Sequence, residues 1–131
     1  MKRELVIGLG VAQTASGGEA ADAAMQALVA AGLQDAAVLA IATIFGRAEH
    51  PAVQAVASYF GVSVIVFDAA RLEQETPRLA NPSEALFERI GCHGVAEAAA
   101  LAATGPDGAL VVEKTKSGGV TIAVAEAVRG S

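Results

Sequence analysis

Three short stretches carry side chains that could hold or attack a charged small molecule. ATIFGRAEH, Ala42 to His50, sets Thr43, Arg47, Glu49 and His50 at the end of an apolar run. A guanidinium there could fork onto a carboxylate, while Glu49 or His50 could serve as a general base or simply cap a following helix. EKTKSGGVT, Glu113 to Thr121, gathers Lys114, Thr115, Ser117 and Thr121 around a Gly-Gly pair. Those are the ingredients of a backbone nest flanked by ammonium groups, and equally of a hairpin turn kept soluble by lysines. Lys114 follows an apolar strand-like run, which favours a ligand contact over mere solubility. ERIGCHGVAEAAALAATG, Glu88 to Gly105, places Cys92 and His93 between glycines ahead of an alanine-rich segment. A helix starting there would offer free amides to an anion around His93, with Glu97 as a cap or a base.

Other chemistries fit the same residues less well. Metal binding needs three or four convergent ligands, and Cys92, His93 and the distant His50 supply at most three without zinc spacing, so no metal is expected. A thiol nucleophile at Cys92 would need a base within hydrogen-bond reach, and an adjacent histidine usually points elsewhere. GLGVAQTASGG, Gly8 to Gly18, opens like a dinucleotide fingerprint, but Gln13 stands where the third glycine belongs and no acid follows a second strand at the expected place. Gly8 and Gly10 would also be explained by a helix packing close to the strand, with Thr14 or Ser16 as its cap, although Gly10 remains a candidate for ligand approach. No motif demands a cofactor.

Composition narrows the field further. The 131 residues carry nine Lys and Arg against fourteen Asp and Glu, a net charge of −5. No stretch concentrates enough positive charge to neutralise a run of phosphates, which argues against nucleic acid. Apolar runs are broken well before the length of a membrane span, and Lys2, Arg3 and Glu4 lead straight into a strand, so we expect no signal peptide, no membrane span and a cytoplasmic location. One cysteine allows no internal disulfide. The length suits a single domain over residues 1–131.

Alternating patterns supply the frame for these stretches. Glu4 to Gly10, Ala36 to Ile44 and Val62 to Phe67 read as strands, the second continuous enough to be covered on both faces. Gly17 to Ala31 and the segment from Pro51 to Phe60 read as helices, the latter opened by His50-Pro51 and closed by Gly61. Asp68 could cap a short turn, Pro77 stops any continuation, and most of Asp68 to Leu79 reads as an exposed connection. Asn81-Pro82-Ser83-Glu84 supplies a cap donor and a first-turn proline for a helix ending at Gly91. Val95 to Ala103, with Glu97 as its one charge, should be the most buried helix. Ala109 to Glu113 and Val120 to Ala125 read as strands joined by a hairpin or a short crossover. The expected fold is a three-layer α/β/α sandwich on a mostly parallel or mixed sheet of about five strands, with room for an antiparallel edge strand.

The order VIGLG, IATI-x-x-R, NPSEALFERIG-x-x-GVAEAAAL, LVVEKTKSGGVTIAVA resembles the cobalamin-biosynthesis family of CobE proteins and CbiG carboxy-terminal domains over nearly the whole chain. The resemblance implies a role in building the corrin ring. Full-length CbiG proteins open a lactone of a cobalt-precorrin and release acetaldehyde, whereas a chain this short resembles the stand-alone type of the aerobic route. It implies a precorrin or corrinoid ligand, bearing acetate and propionate groups around an apolar macrocycle, with other cobalamin-biosynthesis enzymes as partners. A binding or accessory role leads, with a lactone hydrolase using Glu49, His50 or Glu97, and a nucleotide-binding domain, as alternatives. Val11-Ala12-Gln13 and Phe45 depart from the family's usual cysteine, basic and acidic residues.

Overall fold

The computed structural model describes residues 3–128; Lys2 lies outside them. Its elements are β1 (Glu4–Val11), α1 (Gly17–Ala30), β2 (Ala37–Ile44), α2 (Pro51–Phe60), β3 (Ser63–Phe67), α3 (Ala69–Glu73), a 3-10 turn (Thr76–Arg78), α4 (Glu84–Ile90), α5 (Ala96–Thr104), β4 (Ala109–Ser117) and β5 (Val120–Glu126). The five strands lie in the order β3-β2-β1-β5-β4. β1, β2 and β3 pair in parallel, while β5 runs antiparallel to both β1 and β4. The expected α/β/α sandwich is present, on a mixed sheet.

Alternation along β1 divides the core. Leu5, Ile7, Leu9 and Val11 pack with α1 and α2 through Ala20, Ala24, Val53 and Val56. Val6 faces the other way, toward Ala98 and Ala99 of α5. Gly8 lies on that second face, and a Cβ there would collide with the Ala96 carbonyl, so the missing side chain is what lets α5 lie against the sheet. It is therefore α5, not the helix next in sequence, that needs the glycine. Every residue from Ala96 to Ala102 is buried, as its lack of charge predicts.

Several local expectations are corrected. The antiparallel strand is interior, because β5 is apolar and almost wholly buried, whereas β4 carries Glu113, Lys114 and Lys116 and takes the edge. Of the two connections expected between β4 and β5, the hairpin is the one that forms, turning at Gly118 and Gly119 with positive φ at Gly118 alone of the two. β2 is covered only in its second half: Leu39 is 45% exposed, while Ala42 packs under α5. The stretch from Asp68 to Leu79 is not simply exposed, because Leu72 and Glu75 are buried. The Glu75 carboxylate accepts from Arg71 at 2.7 Å and from Arg78 at 2.7 and 2.9 Å. Arg78 also donates to the carbonyls of Leu101, Gly105 and Gly108, tying this segment to the end of α5.

Helix ends follow the sequence closely at α2, where His50 caps the start and Gly61 closes the end in the left-handed conformation. Ser16, rather than Thr14, caps α1. At α4 the cap is Ser83, whose hydroxyl accepts from the Leu86 amide at 3.2 Å, because Asn81 is engaged elsewhere. No helix among the described residues is long and apolar enough to cross a membrane.

Candidate functional site

A cleft of about 840 Å³ opens at the carboxyl ends of β1 and β2, bounded by α4, the start of α5 and the β4–β5 hairpin. Loops after parallel strands converge there, the usual ligand position in open α/β sheets, and the volume lies within the range of about 300–1,000 Å³ common for ligand pockets. Gly10, Arg47, Glu97, Lys114 and Thr121 all line it. Gly10 of β1, Arg47 of the loop after β2, Glu97 of α5, and Lys114 and Thr121 of the final strand pair thus meet at one place.

Others lie elsewhere. Thr43 is fully buried and donates to the Leu9 carbonyl at 2.8 Å, stitching β2 to β1. Thr115 and Ser117 sit on the opposite side of β4, beside Ala23 and Ala27 of α1, because alternate strand residues face opposite ways. Glu49 is exposed and does not line the cleft. His50 accepts from the Ala52 amide at Nδ1 and donates from Nε2 to the Gln13 carbonyl, both at 3.0 Å. With both ring nitrogens engaged, it is a cap and a loop tether, not a free base.

His93 also stands outside the cleft lining. Its Nδ1 lies 2.9 Å from both oxygens of Glu73, its Nε2 lies 3.3 Å from Glu84, and its ring stacks on Phe87 with centroids 4.4 Å apart. Its amide, expected to be available to an anion, already donates to Glu73 at 3.0 Å. The hydrogen bond with Glu73 raises the His93 pKa and lowers that of Glu73. Burial pushes the neighbouring Cys92 thiol up, the reverse of what a nucleophile needs.

Glu97 is 2% exposed, yet its carboxylate is fully occupied. It accepts from the Asn81 amide at 3.0 Å, from Asn81 Nδ2 at 2.9 Å and from the Lys114 amide at 2.9 Å. Burial alone would raise its pKa, but these hydrogen bonds, with one from the Ala80 amide, outweigh it and hold the group below the usual carboxylate value. A bulge makes the Lys114 bond available: Val112 pairs with Val124 and Thr115 with Ile122, so two residues of β4 face one of β5. Glu97 therefore binds the loop and β4 to α5, and does not cap its own helix.

Four cations line the cleft: Arg47, Arg89, Lys114 and Lys116. Lys114 Nζ donates to the Asn81 carbonyl at 3.3 Å; the side chains of the other three have no partner among the described residues. The three remaining described cations, Arg3, Arg71 and Arg78, are each paired with a carboxylate. α5 points its amino end into the same space, and its N-cap residue Val95 offers no side-chain acceptor to the free amides. Apolar walls come from Phe45, which is 74% exposed, and from Leu86 and Ile90.

The sequence marks Lys116 only as one of the ammonium groups flanking the Gly-Gly pair, and does not mark Arg89, Asn81 or the apolar wall as ligand contacts. One signal was there: Leu86, Arg89 and Ile90 share a helical face by their three- and four-residue spacing. Nothing local showed that this face would look onto the strand ends.

Comparison with known proteins bears out the resemblance. The profile of the family described as cobalamin synthesis G C-terminus matches residues 5–125. The protein CobE of a Sinorhizobium species is 44% identical over 121 residues, covering 92% of this chain and 79% of that one. The crystal structure of a CobE, a protein from the cobalamin (vitamin B12) biosynthetic pathway, superposes with a TM-score of 0.85 at 26% identity, covering 100% of this chain and 95% of the other. The cobalamin biosynthesis protein chiG from Agrobacterium tumefaciens gives a TM-score of 0.69 at 27% identity, over 95% of this chain and 99% of that one. Family match, relative and fold agree, and the chain belongs to the cobalamin synthesis G C-terminal family of cobalamin biosynthesis proteins.

Proposed function

We propose that the cleft binds a carboxylate-rich precorrin or corrinoid intermediate, and that the protein, acting as one unit over residues 1–131, serves corrin synthesis as a binding or carrier protein. The partition of cations carries this reading. In a chain of net charge −5, the described cations outside the cleft are paired with carboxylates, while those lining it form no ion pair among the described residues. Arg47 and Lys114 are half-buried and Arg89 and Lys116 exposed around one cleft, and an anionic ligand would supply the counter-charge that none of them has. The uncapped start of α5 adds partial positive charge, and Phe45, Leu86 and Ile90 offer apolar surface to a macrocycle.

The hydrolase alternative gains no support from the geometry. His50 has both nitrogens engaged, Glu97 is saturated with its pKa lowered, and Glu49 lies outside the cleft. Anaerobic titration with hydrogenobyrinic acid and with precorrin mixtures, followed by absorbance and product analysis, tests the proposal. A saturable spectral shift without new product, weakened in an Arg47→Ala, Lys114→Ala double variant, is expected. A new product would make the protein an enzyme, and unchanged affinity in the double variant would remove the ligand from this cleft.

A further inference from the structure

The wall of the cleft formed by α4 has an unusual attachment. None of its residues from Glu84 to Ile90 is buried, although Leu86, Arg89 and Ile90 all line the cleft. The chain leaves the helix at Gly91, in the left-handed conformation with φ 84°, so the return to the body is a sharp turn. Among the described residues, three contacts that fasten the helix go to one residue. The Ser83 amide donates to the His93 carbonyl at 2.8 Å, Glu84 faces His93 Nε2 at 3.3 Å, and the Phe87 ring stacks on the imidazole at an interplanar angle of 17°. On its other side His93 is anchored to α3 by Glu73, which accepts from both the ring and the amide.

We propose that His93 is a positioning residue: without touching the ligand, its imidazolium latches α4, and with it Arg89, over the cleft. The inference rests on the reading of the cleft as a ligand site. Both ring nitrogens face carboxylate oxygens, and only the protonated ring can donate from both. A neutral ring keeps one N–H. Glu73 holds it, because that carboxylate approaches more closely and is already fixed by the His93 amide. The Nε2 lone pair then faces Glu84, and α4 loses that contact while the Ser83 bond and the Phe87 stack remain, so the latch loosens. The titratable groups around the ring are Glu73 from α3, Glu84 from α4 and the adjoining thiol of Cys92; Glu97, the one ionisable residue of α5, turns instead to Asn81 and Lys114. The same hydrogen bonds raise the His93 pKa, which moves the release toward neutral and alkaline pH.

The latch can be tested without any ligand. Hydrogen exchange of the Leu86–Ile90 amides, corrected for intrinsic rates, is measured between about pH 6 and about pH 9. Protection in α4 should fall by about two- to fivefold as His93 deprotonates, the range for an exposed ion pair. The step should vanish in His93→Gln and shrink in Glu84→Gln, a change at a residue whose side chain is 86% exposed and so harmless to folding. These variants leave His50, the chain's other histidine, in place. Affinity for hydrogenobyrinic acid should show the same step in the wild type and none in His93→Gln. Protection independent of pH, or unchanged in both variants, would overturn the latch even if the ligand binds normally. An exchange step without a step in affinity would overturn the positioning role. Failure of the ligand to bind at any pH would overturn the reading of the cleft, while the exchange data would still decide the latch.

Discussion

The Lys114 amide donates to Glu97 Oε2 at 2.9 Å, so an irregularity in the edge strand is locked to the first turn of the most buried helix. The bond directs one cleft cation, Lys114, and fixes the floor beneath it. Glu97→Gln would set an amide donor against the donors of Asn81 or Lys114 and should cost about 1–3 kcal/mol. Since the folded carboxyl titrates below its ordinary 4.5, its contribution is complete above that pH and is lost as pH falls through the lower folded value. Thermal unfolding followed from neutral to acidic pH should show a shallower acid decline in Glu97→Gln than in the wild type. An equal decline would assign the acid sensitivity to Glu73, Glu75 and Glu126, whose pKa values are also lowered.

Gly8 and Gly10 look alike in the sequence and differ in what surrounds them. A methyl on Gly8 meets the backbone of α5, which cannot yield without moving the helix, so Gly8→Ala should destabilise by about 3 kcal/mol or prevent folding. A methyl on Gly10 meets only ordinary contacts with Val95 and Thr121, at 3.6 and 3.7 Å. Gly10→Ala should change stability by no more than about 0.5 kcal/mol while narrowing the cleft floor and weakening ligand binding. Denaturant unfolding of the two variants separates them, and equal losses would remove the distinction.

Arg78 joins the buried Glu75 to the last carbonyls of α5. Arg78→Ala leaves a buried carboxylate with Arg71 alone and takes the donor from the Gly108 carbonyl, while those of Leu101 and Gly105 keep backbone donors, a loss of about 2–4 kcal/mol. Arg78→Lys should recover less than half of it, because a point ammonium cannot reproduce the fork. Equal stability of the lysine variant and the wild type in chemical denaturation would show that charge, not geometry, is what matters there.

The alternating fold was legible because each strand and helix announces itself locally: apolar runs in β1, β2 and β3, and caps at His50 and Gly61. Arg47 and Lys114 could be picked out because each follows an apolar run, and the ends of such strands gather ligands in such sheets. Tertiary bonds hid the rest. Asn81 looks like a cap and spends its amide on Glu97; Glu75 looks like a surface acid and is buried by two arginines. Thr115 and Ser117 fall away from the cleft because strand parity, once the bulges are counted, turns them to the α1 side. His93 was noticed for its type, but its partners come from residues 73, 84 and 87, and no spacing rule pairs those positions.

The mixture of cations and apolar walls in the cleft predicts how binding should respond to salt. Raising salt from about 0.1 M to about 1 M shortens the Debye length from about 10 Å to about 3 Å, which screens partly exposed contacts such as those of Arg89 and Lys116. Affinity for a polycarboxylate corrinoid should therefore fall, without vanishing, because the contribution of Phe45, Leu86 and Ile90 is not screened. Arg89→Gln, at an exposed helical position, should cost about two- to fivefold at low salt and almost nothing at high salt. A ligand with its carboxylates converted to amides should bind more weakly and lose most of the salt dependence in both proteins. Salt-independent binding of the acid form, equal in wild type and Arg89→Gln, would mean that the apolar walls alone hold the ligand and that the four cations serve something else.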